Sequence, residues 1–187
     1  MNRELKKQMD ASKEVNKAIY SNVVGKCMQI LKNYVSSESE PSLEGFKNYY
    51  YKTKSIKPLV KSICMVMSED YSLNDAADYV DIRVFEDTWN GHIWEHKAKQ
   101  WLKDKYDLDC RFANWEEDAK YCVDLIGDNF AIQVKPITYK KGSNPSLMKD
   151  RESHLNQHRK YEKETNKSIR HIFYDKNTGE LIIENYR

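Results

Sequence analysis

Two apolar runs rich in β-branched residues, YCVDLI (121–126) and FAIQVKPI (130–137), flank the short polar segment Gly127-Asp128-Asn129. The runs have strand length, and Gly-Asp-Asn is turn chemistry, so the pair predicts a β-hairpin. An isolated two-stranded hairpin is marginal in water and must bury a face against further strands or a helix. The second half of the chain offers both. CRFANW (110–115) reads as a short extended segment, SIRHIFY (168–174) as a strand, NTG (177–179) as a turn and ELIIENY (180–186) as a last strand. A helix is expected from about His92 to Lys105, with Ile93, Trp94, Ala98, Trp101 and Leu102 as its apolar positions. A polar loop, YKKGSNPS, leads to a charged helix over about 147–164. Helix, strand, hairpin, helix, strand, strand is an α/β order with a mixed sheet flanked by helices.

The first half reads as helices only. Asp10 or Ser12 can cap a helix with the apolar stripe Val15, Ile19, Val23, Cys27, Ile30, Leu31 and Tyr34. Ser42 opens a short helix carrying Leu43, Phe46, Tyr49 and Tyr50, and another follows near Pro58 with Leu59, Val60, Ile63, Cys64 and Met67. Ser72 and Asp75 have the spacing of a capping box ahead of Ala76, Ala77, Val80 and Val84. These stripes predict core packing. The expected organisation is a helical region over 1–90 and an α/β region over 91–187.

The chain has 187 residues, enough to bury a core without staples. Its net charge of +2 excludes a histone-like polycation, so any affinity for a phosphate backbone has to come from local clustering of cations. Cys27, Cys64, Cys110 and Cys122 form no C-x-x-C pair, which argues against structural zinc and for a reducing compartment. MNRELKKQMD lacks the apolar run of a signal peptide, and no stretch reaches membrane-spanning length. A cytoplasmic protein is expected.

The hairpin also carries the chemistry. Side chains alternate faces along a strand, so Gln133 and Lys135 point the same way, and Asp124 on the partner strand comes opposite them. A carboxylate, an amide oxygen and an ammonium then converge at the sheet surface. Phosphodiester hydrolysis needs such a set: oxygens for a hard cation, a cation to polarise phosphate and acidify water, and an ammonium to orient the water and offset developing charge. The same spacing also occurs on an ordinary strand with a solvated face.

VDLIGDNFAIQVK resembles the hairpin of the PD-(D/E)xK nuclease superfamily, in the variant of the Mrr-type restriction nucleases where glutamine replaces the second acid. Upstream, GHIWE (91–95) and AKQWLKDKY resemble the superfamily's helix that opens with glycine and carries a glutamate. Downstream, Gln157-x-x-x-Tyr161 resembles the Q-x-x-x-Y helix of the RecB-like branch, and the strand IRHIFYD follows. The stretch QVKPITYKKGSNPSLMKDR is similar to type II restriction enzymes of the MjaI kind. The resemblance covers 91 to about 175. It implies a PD-(D/E)xK-like core and a Mg²⁺-dependent endonuclease acting on double-stranded DNA. It implies Asp124 as main metal ligand, Gln133 as a further metal ligand at the second-acid position, Lys135 positioning the water, and Glu95 supporting the metal. It also implies a homodimer, because cutting both strands of a symmetric site calls for two active sites. Two departures stand out: Val123 occupies the proline position, and Gln133 lacks the charge of an acid.

Other features compete. His92-Ile-Trp-Glu95-His96 matches the inverted zinc-protease pattern, although no third-ligand helix follows it. His154 and His158 form a second i, i+4 pair, read first as solvated histidines on a basic helix. From Lys135 to Arg170 cations outnumber acids, and Lys140, Lys141, Arg151, Lys160, Gln157, Tyr139 and Tyr161 are candidate DNA contacts, the tyrosines against sugar or base. Two further readings stay open on the same scaffold: a junction or repair nuclease, and an inactive DNA-binding relic that has lost its acid.

Overall fold

The computed structural model describes residues 3–22, 24–66, 72–141 and 145–185. The chain divides into two compact units, Met1–Gly91 and His92–Arg187.

The first unit is helical: α1 (Arg3–Ala11), α2 (Lys13–Asn22), α3 (Val24–Ser37), α4 (Leu43–Thr53), α5 (Lys57–Val66) and α6 (Leu73–Asp81), then a π-helical stretch Ile82–Glu86 that runs into α7 (Asp87–Tyr106). The Ser12 hydroxyl accepts from the Val15 N–H at 3.3 Å, so the predicted cap opens α2. The expected single stripe is split between α2 and α3, with Val23 outside the described residues, as is Met67. Ser42 caps α4 by accepting from the Gly45 N–H, and a Cβ on Gly45 would collide with the Tyr34 hydroxyl. That hydroxyl accepts from the Ser42 N–H at 3.0 Å, so glycine is needed for the approach. Ser72 and Asp75 form the reciprocal capping box that their spacing predicts. The predicted stripes make one core, in which Phe85 meets Phe46 and Tyr50 edge-on at 5.6 and 5.0 Å.

The second unit is built on a five-stranded sheet, order β1-β2-β3-β4-β5: Arg111–Phe112, Leu125–Ile126, Phe130–Pro136, Ser168–Tyr174 and Leu181–Glu184. The pairs β1–β2, β2–β3 and β4–β5 are antiparallel, and β3–β4 is parallel. The parallel pair needs a crossover, which α10 (Pro145–Thr165) supplies. Alternation along β3 sorts its side chains. Ile132 and Val134 pack with Ile172, Tyr174 and Leu125 against Trp94, Ala98 and Leu102 of α7. Ala131 packs on the other face with Tyr161 of α10. Full burial of Leu102 or Ile172 contributes about 1.5–3 kcal/mol each. Trp94 stacks flat on Tyr174 at 4.4 Å. This is a mixed α/β core with a helical N-terminal region, consistent with the PD-(D/E)xK-like fold.

Four local expectations change. First, α7 starts at Asp87, not near His92, so Gly91 lies inside it. Second, Trp115–Tyr121 is a helix, α8, capped by Asn114 and Glu117, where no element was expected between CRFANW and YCVDLI. Third, α8 takes the start of the expected strand, leaving β2 two residues long. Fourth, the expected polar loop begins as a short helix, α9 (Ile137–Lys141). The GDN hairpin forms, closed by the Gly127 N–H on the Phe130 carbonyl at 2.9 Å. The NTG turn forms too, with Gly179 at φ 77.

Candidate active site

The approach to Asp124 is set by the end of α8. Cys122 takes the left-handed conformation, φ 54, and its N–H bonds back to the Asp118 carbonyl. The chain then turns so that Asp124 stands just before β2. Its N–H donates to the Ile132 carbonyl at 2.8 Å, and its Oδ2 accepts the Val134 N–H at 2.7 Å. The carboxylate thus replaces a backbone acceptor at the point where the β2–β3 ladder stops.

Asp124 is buried. Burial raises its pKa well above the usual carboxylate range; the Glu95 charge raises it further, while Lys135 and the Val134 N–H pull it down. Glu95, on α7, is buried as well, with an oxygen 3.9 Å from His92 Nδ1. Asp124 therefore sits under the opposing charges of Glu95 and Lys135 in a low-dielectric site.

Gln133 is only 1% exposed, not on a solvated face. Its Oε1 lies 3.0 Å from His171 Nε2, its register partner on β4. Lys135 shares this face by alternation and is half-buried. The ring of His158 is 5.1 Å from that of His171, and its Nε2 faces the Cys122 carbonyl at 3.2 Å. The expectation of solvated histidines on α10 is corrected: His158 is buried, and His154 meets the Tyr139 hydroxyl at 3.0 Å. Burial holds all three neutral, with His154 pushed down to about 4 and His171 to about 3, aided by the Lys135 charge. His171 was missed in the sequence. Its signal was a polar residue between Ile169 and Phe173, the apolar positions of the same face in SIRHIFY.

The remaining candidate contacts divide. Tyr139 and Tyr161 are buried, so their rings pack inside the unit instead of facing a sugar or base. Gln157 donates to the carbonyls of Ala119 and Lys120, and its Oε1 accepts from Cys122 Sγ at 2.9 Å, tying α10 to α8. Lys140 is clamped on Glu184 at 2.6 and 2.8 Å, and Arg151 donates to the Tyr139 carbonyl. Lys160 is exposed, with Glu164 at 3.9 Å, and the side chain of Lys141 lies outside the described residues.

The donor set can be tested against a metal. Among the described residues no group of three or more His, Cys, Asp and Glu side chains is suited to holding an ion. That disfavours a zinc site of three such ligands at His92 and His96; the His96 ring instead packs on Phe112 at 4.4 Å. It leaves two buried carboxylates that repel each other, Asp124 and Glu95. One or two carboxylates completed by water suit Mg²⁺, and a hard dication would remove the repulsion. The residues present fit that ion.

Compared with known families, residues 9–183 match the MjaI restriction endonuclease family. The chain belongs to this family. It is therefore a restriction-endonuclease-type nuclease acting on DNA. Neither the curated proteins nor the solved structures give a match. The matched span takes in nearly all of the helical unit and the sheet up to Ile183 of β5.

Proposed function

We propose that this family member is a type II restriction endonuclease that hydrolyses phosphodiester bonds of double-stranded DNA with Mg²⁺, working as a cytoplasmic homodimer. The observation that carries the reading is the buried Asp124 carboxylate, held by the Val134 N–H at 2.7 Å where the β2–β3 ladder ends and subject to the Glu95 and Lys135 charges, in a chain of a restriction endonuclease family. The four cysteines of the chain are all free, in keeping with a reducing compartment, and no described helix is long and apolar enough to cross a membrane.

In this reading Asp124 and Glu95 hold the ion. When bound, the metal polarises the phosphate and acidifies a water. The Val134 N–H fixes one Asp124 oxygen, so the other is left to face the ion. Lys135 orients the attacking water and offsets negative charge on the phosphate oxygens. Gln133 occupies the second-acid position with its Oε1 engaged by His171, so the pair sets the wall of the site and leaves the charge to Glu95. The unit Met1–Gly91 supplies dimer contacts, base readout or both, and the unit from His92 onward supplies the catalytic core. Lys160 is the solvent-facing candidate of the α10 tract for phosphate contact.

The test is digestion of unmodified plasmid and phage DNA with Mg²⁺ by the wild-type chain, Asp124→Ala and Lys135→Ala. Discrete metal-dependent fragments, absent in both variants, are the expected result. Cutting confined to branched substrates would favour a junction nuclease instead. Binding of DNA without cutting under any divalent ion would favour an inactive relic.

A further inference from the structure

The helical unit Met1–Gly91 contains thirteen Lys and Arg against thirteen Asp and Glu, so it is neutral. Its charges are nevertheless segregated along the sequence. From Gly45 to Ser68 there are five lysines and no acid, which leaves the rest of the unit strongly acidic. Lys47 has an internal task, bonding Asp81 at 2.6 Å. Lys52, Lys54, Lys57 and Lys61 are exposed and form no ion pair among the described residues. They occupy the end of α4, the connection and the outer face of α5, whose other face buries Leu59, Val60 and Ile63. Tyr51, 47% exposed, lies beside them with its ring held 5.4 Å from Phe85.

An ordinary solvated surface intersperses both signs of charge. Here local electrostatics oppose the fold. Lys57 and Lys61 are a like-charged i, i+4 pair, which destabilises a helix. The first turn of α5 has Lys57 and no acid, although the helix dipole favours an acid there. A surface that keeps such conflicts is expected to serve a ligand that relieves them. The relieving ligand is a polyanion, and lysines act on phosphate as point charges without reading sequence.

We infer that the α4–α5 face of the helical unit is a contact surface for the phosphate backbone of double-stranded DNA. This rests on the reading of the chain as a nuclease of duplex DNA. The surface adds sequence-independent affinity, which follows counterion release and so weakens steeply with salt. It is separate in sequence from the α10 tract and assigns the helical unit a direct part in holding the substrate.

The experiment measures binding of a labelled duplex of about 30 base pairs to the full chain across a salt series, in EDTA and with Ca²⁺, by fluorescence anisotropy. Lys57→Gln/Lys61→Gln is compared with the wild type and with Lys7→Gln/Lys13→Gln, a control on exposed lysines of α1 and α2. Each lost phosphate contact lowers the slope of log affinity against log salt by about 0.9, so the test pair should lower it by roughly 2 and weaken binding about tenfold or more near 0.1 M salt. The control pair should leave the slope unchanged. Circular dichroism should show both variants folded, since the test pair removes a like-charge repulsion. If the wild type binds and cuts DNA while the test pair keeps its slope and affinity, the inference is overturned and the nuclease reading stands. Equal losses in test and control pairs would also overturn it. A wild type that neither binds nor cuts duplex DNA overturns both. Vesicles containing phosphatidylserine are the counter-probe, and lysine-dependent vesicle binding with unaltered DNA binding would assign the face to a membrane and overturn the inference.

Discussion

At the scale of residues, Asp124 combines two properties that pull apart. The proposed mechanism gives its carboxylate to the ion, yet burial and the Glu95 charge make its charged form costly without one. A raised folded pKa means no cost below the unfolded value of about 3.9, a cost that grows as pH rises through it toward the folded value, and a constant cost above. Asp124→Asn keeps an acceptor for the Val134 N–H and removes the charge. Thermal melting in EDTA should therefore show Asp124→Asn more stable than wild type at neutral pH, with the gap closing toward pH 4. Its Mg²⁺-dependent cleavage should fall by at least about a hundredfold, because several kcal/mol of charge stabilisation is lost. A variant equally stable at both pH values would show that the carboxyl is not strained. Gln133→Glu probes the neighbouring position. It puts a third carboxylate beside two, so melting in EDTA should drop by a few degrees, about 2–4 °C per kcal/mol, with Mg²⁺ restoring more than it gives the wild type.

Among elements, legibility in the sequence followed how much apolar surface each one buries. The hairpin, the three capping serines and the NTG turn were readable because turn and cap chemistry is local. Helix α8 was not, because it buries no residue fully and so has no stripe; the Asn114–Glu117 capping box was its one signal. The start of α7 was obscured by the π-helical stretch, which shifts the stripe, and by Gly91. In the candidate site, Asp124, Gln133 and Lys135 were singled out by their spacing, and Glu95 by resemblance. The role of His171 needed the β3–β4 register, which no local pattern encodes. Two predictions belong here. Asn114→Ala should cost about 1 kcal/mol in urea unfolding and slow cleavage, since α8 aims Asp124 through Cys122. The three histidines between α10 and the sheet have lowered folded pKa values, so their contribution is present above the unfolded pKa of about 6.5 and is lost as pH falls toward their folded values. In the Asp124→Asn background, which removes the opposing carboxyl effect, the urea midpoint in EDTA should fall between pH 7 and pH 5. His171→Gln, which keeps a donor for Gln133, should flatten that fall.

For the whole molecule, the proposed double-strand cut has to be reconciled with one candidate site per chain. A nuclease with a single hairpin site cuts one strand per encounter. Two sites related by a two-fold axis cut both strands of a symmetric sequence without releasing the DNA. Co-expression of differently tagged wild-type and Asp124→Ala chains, followed by two-step purification, yields assemblies with one competent site. Such a heterodimer should convert supercoiled plasmid to the nicked circle and accumulate it, whereas the wild-type homodimer should pass to linear product with little nicked intermediate. If the chain instead acts as a monomer that cuts twice in succession, the two tags will not co-purify, and a simple mixture will only halve the rate of linearisation. Agarose gel time courses separate these outcomes. The same preparation bears on the helical unit: a dimer held by that unit should survive loss of catalysis in both chains, so an all-Asp124→Ala assembly should sediment as wild type does.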